Sequence, residues 1–280
     1  MITKKKVINL ITLLLLLTGV ALIATPYINF FISNQKESYV IQDYNKSVNN
    51  ADTKYRKKIL EKAVNYNSKL DYKINGDPFS LSQAQPDEDY SKQLKIKGSD
   101  SMGYVVIPKI DVMLPIYHGT SSDSLDRGVG HLEGTSLPVG GKNTHCILTG
   151  HTGLPSAKLF TDLDQMGEKD IFFLKILDKT MAYKVIQIQV VEPNNVSWAG
   201  IKDGKDLVTL LTCTPYGINS QRLIITGERT PYNGEKGDIT SDILNTRNEK
   251  VFLLLLVLVA IITTSIIIYY RRRHKSVSGS

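Results

Sequence analysis

Hydrophobic residues fall into blocks of sharply different character along this chain. Val7 to Ala24 is almost continuously apolar and follows Lys4-Lys5-Lys6. That length suits a membrane span of about 20 residues. The small residues Gly19, Ala21 and Ala24 also fit the end of a signal peptide. The apolar run continues past Pro26 through Ile28, Phe30, Phe31 and Ile32, which favours an uncleaved anchor. From Asn34 to Leu70 the chain is polar, with apolar residues at helical spacing. Val40, Tyr44 and Val48 share one face, and Tyr55, Ile59 and Ala63 share another. One or two amphipathic helices are expected there. Tyr72 to Gly98 loses this period and contains Gly76-Asp77-Pro78 and Gln85-Pro86-Asp87, which reads as a long surface loop.

Short apolar runs then alternate with turn residues. Gly103–Ile110, Val112–Tyr117, Thr144–Thr149, Ile171–Leu177, Met181–Val191, Leu207–Thr212 and Leu223–Thr226 read as strands. Ser122–Arg127 reads as a short capped helix, and Ser156–Gln165 as another with Leu159, Phe160 and Leu163 on one face. The Gly- and Pro-rich 128–141 and the segment 192–205, which carries Trp198, read as loops. Many strands and few helices predict a mainly β fold closed into a barrel, since closure removes exposed edges. Val251 to Tyr270 is a second apolar stretch, ending in Tyr269-Tyr270 and Arg271-Arg272-Arg273. Interfacial aromatics followed by arginines mark a cytoplasmic end. The basic N-terminal tail argues the same, so both termini are expected inside and the middle outside.

These blocks divide the 280 residues into an N-terminal tail and anchor (1–34), a juxtamembrane helical segment (35–71) and a loop (72–98). A β-barrel (99–236), a linker (237–250), a second transmembrane helix (251–270) and a basic tail (271–280) follow. Charge sharpens this division. The formal net charge is +7. Seven basic residues sit in the two tails, which leaves 27 basic against 27 acidic residues between them. The excess therefore serves topology, and no basic stripe with interleaved aromatics points to nucleic acid.

Two cysteines are present. Cys146 lies inside an apolar run and reads as a core residue. Cys213 ends a strand, precedes Thr214-Pro215-Tyr216-Gly217 and faces Arg222 across the break. A lone cysteine is most often a small buried hydrophobe. A cysteine at a strand end beside an arginine is a better candidate nucleophile. Pairing the two in a disulfide would silence it, so two free thiols are expected. Of the five histidines, His274 belongs to the basic tail. His118, His131, His145 and His151 are not separated by position alone, although His151 stands between Gly150 and Thr152-Gly153 at a strand end. No Asn or Asp orienter of the imidazole is apparent. The cysteines and histidines lack metal-ligand spacing, so no metal and no cofactor are expected.

Thr209-Leu210-Leu211-Thr212-Cys213 resembles the TLxTC signature of sortases, the cell-surface transpeptidases of Gram-positive bacteria. Pro215-Tyr216-Gly217, Arg222, Gly227-Glu228-Arg229 and the run Gly128-Val129-Gly130-His131-Leu132-Glu133-Gly134-Thr135-Ser136-Leu137-Pro138 resemble class C, the pilus-assembling branch. The likeness extends from about Gly103 to Arg229. It implies an eight-stranded β-barrel with N-terminal helices and a lid loop. Leu148-Thr149-Gly150-His151 matches the motif that carries the family's catalytic histidine, although Thr152 stands where class C members often have Arg. The resemblance thus implies Cys213 as nucleophile, His151 as general acid and base, and Arg222 as stabiliser of the oxyanion or substrate. Asp77-Pro78-Phe79 matches the family's lid anchor, with the carboxylate near Arg222 and the ring over the thiol. The implied reaction is cleavage of an LPxTG-like sorting signal between Thr and Gly, then transfer of the acyl group to a pilin lysine. A wall-anchoring sortase or a membrane-bound cysteine peptidase would use the same three residues with another acceptor. A non-catalytic binding module would require Cys213, His151 and Arg222 to match by accident.

Overall fold

The computed structural model describes residues 4–74, 76–79, 87–232, 234 and 264. Eight strands close into a barrel in the order β1-β2-β3-β4-β7-β8-β6-β5. They are β1 (Gly103–Ile107), β2 (Val112–His118), β3 (Val129–His131), β4 (Thr144–Thr149), β5 (Ile171–Ile176), β6 (Lys179–Val191), β7 (Asp206–Thr214) and β8 (Gln221–Thr230). Four helices accompany them: α1 (Lys4–Asn50), α2 (Thr53–Lys69), α3 (Glu88–Lys92) and α4 (Ser122–Arg127). The expected eight-stranded, mainly β fold with N-terminal helices is the fold observed.

β1 is buried at every position, as a strand covered on both sides must be. The turn to β2 runs through Pro108–Ile110 and Asp111 in the left-handed region. α4 connects β2 to β3, which runs parallel to it, and β4 lies parallel to β7, so the sheet is mixed. β6 is long because it serves two partners. Lys179–Lys184 pairs with β5, and the strand then continues along β8 past an irregularity between Val185 and Gln187. Such an extra residue bends a strand and helps the sheet curl.

α1 runs without interruption through Pro26. Its N-terminal part is apolar and exposed, and it is the one helix among the described residues long and apolar enough to cross a membrane. Its C-terminal part packs on the barrel through Ile41, Tyr44 and Val48. The Tyr44 hydroxyl donates to the Met102 carbonyl at 3.1 Å and accepts from the Leu177 amide at 2.7 Å. α2 buries Ile59 and Ala63 on the face that periodicity predicts. Tyr55, assigned to the same face, is exposed.

Three expectations are corrected. Ser156–Gln165 is not a helix: Leu159 takes a positive φ of 41°, and only Leu163–Gln165 forms a 3-10 turn. Leu159, Phe160 and Leu163 are nonetheless all buried, so helical spacing there marked burial rather than helix. The segment 128–141 contains strand β3. The segment after the loop residues 76–79 is not open surface either. Asp87 caps α3, and Tyr90, Leu94 and Ile96 enter the core. The second predicted span, Val251 to Tyr270, lies outside the described residues apart from Thr264.

Candidate active site

β7 and β8 are antiparallel neighbours, and their register sets Cys213 directly opposite Arg222. β7 is therefore longer than its apolar run suggests, and its last turn of pairing carries the thiol. Thr214-Pro215-Tyr216-Gly217 then reverses the chain, with Gly217 at φ 75° and the Ile218 and Asn219 amides both donating to the Pro215 carbonyl. β4 lies on the other side of β7 in parallel, with Thr149 beside Leu211. His151 and Cys213 each follow two residues later, so both leave the same rim of the barrel.

Backbone contacts hold the histidine there. The Gly150 amide donates to the Leu211 carbonyl at 3.0 Å, and the Thr212 hydroxyl donates to the Gly150 carbonyl at 2.7 Å. The Phe160 amide donates to the His151 carbonyl at 3.0 Å. A Cβ at position 150 would come within 2.7 Å of the buried Phe160 ring, so glycine lets this strand end close down on its neighbour.

Arg222 is 8% exposed and its guanidinium is fully engaged. Nε donates to Asp77 Oδ1 at 2.9 Å, and Nη2 donates to Oδ2 at 2.7 Å. This is the forked geometry that suits a planar guanidinium to a carboxylate. Nη1 donates to the Asn219 and Gln221 carbonyls at 3.0 and 2.9 Å and thereby props the β7–β8 turn. The Phe79 ring centroid is 5.1 Å from the Arg222 guanidinium carbon and 6.1 Å from the His151 ring. Phe79 also packs on a buried cluster of Leu132, Ile147, Leu211 and Ile224. The Phe79 amide donates to Asp77 Oδ1 at 3.3 Å, and the Thr120 hydroxyl donates to the Pro78 carbonyl at 3.4 Å. Residues 77–79 thus bridge the arginine and the imidazole, and an aromatic ring lies between them.

Electrostatics follow from this cover. Burial pushes the Cys213 thiol up, Arg222 pulls it down, and Asp77 pushes it up again, so the net shift is upward. Burial lowers the His151 imidazole, against an opposing pull from Asp126. A raised thiol and a lowered imidazole favour the neutral pair, so thiolate beside imidazolium is the minor form while 77–79 stay in place.

Cys146 is buried, and burial holds its thiol well above the ordinary value. Both cysteines are free. His145 is packed, bonded to the Gly200 carbonyl at 3.0 Å and to the Thr209 hydroxyl at 2.7 Å. His131 is fully buried between the Tyr90 hydroxyl at 2.8 Å and the Ser136 carbonyl at 2.9 Å. His118 contacts the Gln93 carbonyl at 2.8 Å. These three rings are therefore tied into the scaffold, and His151 shares the rim with Cys213. No Asn or Asp hydrogen-bonds the His151 ring among the described residues, but one carboxylate comes near it. Asp126, near the end of α4, lies 3.8 Å from His151 Nε2. One sequence signal points to it: an acidic residue in the last turn of a helix, where the carbonyl ends favour cations. Among the described residues no group of three or more His, Cys, Asp or Glu could hold a metal ion.

Known proteins of similar sequence and fold are sortases. Residues 105–230 match the sortase domain. Sortase C of Streptococcus pneumoniae superposes with a TM-score of 0.66 at 45% identity, covering 69% of this chain and 97% of that one. Sortase C-1 of Actinomyces oris gives 0.61 at 45% identity over 64% and 99% of the two chains. Sortase A of Streptococcus agalactiae is 27% identical over 245 residues, 86% of this chain and 91% of that protein. With this barrel and 45% identity to solved class C sortases that it covers almost completely, the chain belongs to the sortase family, in its class C branch, and is a cysteine transpeptidase.

Proposed function

We propose that this protein polymerises pilin subunits on the outer face of a membrane. The register pairing of Cys213 with Arg222, beside a strand that delivers His151, carries this reading. The Cys213 thiolate attacks the Thr carbonyl of an LPxTG-like sorting signal. The tetrahedral intermediate collapses, the Thr–Gly C–N bond breaks, and a thioester forms. His151 gives its proton to the departing Gly amine. A lysine amine of another pilin then attacks the thioester, the new amide forms, the sulfur leaves, and His151 takes the amine proton. Arg222 donates to the oxyanion or the substrate backbone, a contribution of about 3 kcal/mol to the barrier for one such donor.

Asp77, Pro78 and Phe79 form the lid in this reading. Asp77 occupies the anionic position that substrate or oxyanion takes against Arg222, and Phe79 packs against the Arg222 guanidinium and the His151 ring, so on this reading the lid must leave before substrate enters. The catalytic barrel comprises 99–236, approached through 35–71. Anchors at both ends, with the basic tails inside, keep the enzyme among membrane-tethered pilins and raise their effective concentration. The sortase C of S. pneumoniae has been described in terms of pilin substrate specificity, which supports a pilin as substrate here.

The test mixes the protein with a sorting-signal pilin and compares wild type with Cys213→Ala. Covalent pilin ladders that need the thiol are expected. Hydrolysed signal without ladders would make it a peptidase, and attachment to a wall-precursor amine would make it a wall-anchoring enzyme.

A further inference from the structure

Asp126 is half of a contact that the reaction has not yet used. It is the penultimate residue of α4, and its carboxylate lies 3.8 Å from His151 Nε2. Its neighbour Arg127 is committed elsewhere, to Asp123 at 2.8 Å and to the face of Tyr117 at 4.4 Å. A carboxylate at a helix C-terminus faces carbonyl ends and is disfavoured there. A positive charge on the imidazole offsets that cost.

We infer that Asp126 is a positioning residue for His151, holding Nε2 toward α4 so that Nδ1 faces sulfur and substrate, and favouring the imidazolium over the neutral ring. This rests on the reading of Cys213 and His151 given above. The separation is that of an ion pair rather than a direct hydrogen bond. Several other groups of the described residues face this rim. The lid presents the Phe79 ring and the Asp77 carboxylate, the latter paired with Arg222 of β8. β7 presents the Cys213 thiol, and the Tyr216 phenol ring lies against Gly153. Asp126 supplies the upward pull on the imidazole. Because its side chain is 63% exposed, water and salt weaken that pull. Unit charges at this separation shift a titration by most of a pH unit in bulk water, and screening trims this to about half a unit.

The consequence is distinctive because the thiol lies above the imidazole in proton affinity. The active ion pair is then a minority species, and its share falls tenfold for each unit the imidazole is lowered. Substitution at Asp126 should therefore move two observables together.

The experiment measures kcat/KM for a fluorogenic LPxTG-type peptide between about pH 5 and 9, with the full chain in detergent micelles. In Asp126→Asn the acidic limb should move down by about half a unit and the plateau should fall about threefold. Asp126→Glu should restore both. A lowered plateau with an unmoved limb would mean a merely structural role and would overturn the inference, as would an unchanged profile. Iodoacetamide labelling of Cys213 over the same range reads the ion pair without turnover, and its low-pH shoulder should shrink by the same factor. If Cys213→Ala or His151→Ala still cleaves peptide, the underlying assignment fails instead, so the two failures are separable.

Discussion

Removing the Asp77 carboxylate should expose the active-site sulfur. In Asp77→Ala the lid loses two charge-assisted hydrogen bonds, from Arg222 Nε at 2.9 Å and Nη2 at 2.7 Å. Both side chains are about nine-tenths buried, at 10% and 8% exposure, so solvent screening is weak. Truncating one partner of such a pair costs about 2–5 kcal/mol when the other charge stays buried. Here an open lid rehydrates Arg222, so the lower part of that range, about 2–3 kcal/mol, applies to lid closure. That corresponds to an increase of about 30- to 150-fold in the open population, until opening is complete. A second effect adds to the first, because Asp77 opposes the pull of Arg222 on the thiol and its loss favours thiolate. The assay is pseudo-first-order alkylation of Cys213 by iodoacetamide, followed by intact mass. Cys146 is buried and should stay silent. Phe79→Ala should accelerate labelling less, since its contact with Arg222 contributes about 1 kcal/mol. A rate for Asp77→Ala within about twofold of wild type, with folding intact, would show that Asp77 does not hold the lid shut.

Two further outcomes follow from the same contacts. Arg222→Lys keeps the charge but loses the fork, so lid release should speed alkylation while acyl transfer falls about 100-fold; parallel changes in the two rates would refute the double role of Arg222. His131 is fully buried and its imidazole is lowered to about 4 from an ordinary value of 6.5. The unfolded chain then binds a proton that the folded chain refuses, so stability is full above the ordinary value and is lost as pH falls from there toward the folded value. The loss amounts to on the order of 3 kcal/mol across that window, and His118 and His145, also lowered by burial, add to it with the same sign. Urea unfolding followed by Trp198 emission at pH 7, 6 and 5 reads it, and a midpoint that does not move would contradict the burial argument.

Much of this site could be read from sequence because β structure makes neighbours of residues far apart by simple counting. A turn of known chemistry between two apolar runs places Cys213 opposite Arg222 whatever the rest of the barrel does. Parallel pairing of β4 with β7 does the same for His151, but that pairing cannot be counted from one sequence, and only the motif singled this histidine out. Spacing misled where burial and helix share a period: Leu159, Phe160 and Leu163 are buried from an irregular segment. The polar look of the chain after residue 86 hid Tyr90, whose hydroxyl joins the His131 ring and backbone and the Gly119 amide. Asp126 escaped because ion pairs across loops leave no periodic trace.

If residues 77–79 act as the proposed lid, the contacts of the closed site couple cover to activation. With Asp77 bound, Arg222 is neutralised, the thiol is raised by burial, and the imidazole is lowered by burial. Lid departure reverses the terms that Asp77 and burial impose. On that reading Arg222 regains its pull on the sulfur, water returns to both titrating groups, and the inferred role of Asp126 in favouring the imidazolium is kept. A single displacement of residues 77–79 would then open the cleft and enlarge the ion-pair fraction. A substrate whose acidic or carbonyl oxygen competes for the Arg222 fork would drive both changes together. Reactivity toward small thiol reagents should accordingly rise with sorting-signal concentration before it falls by active-site occupancy, whereas a lid that merely blocks access by sterics would show only the fall.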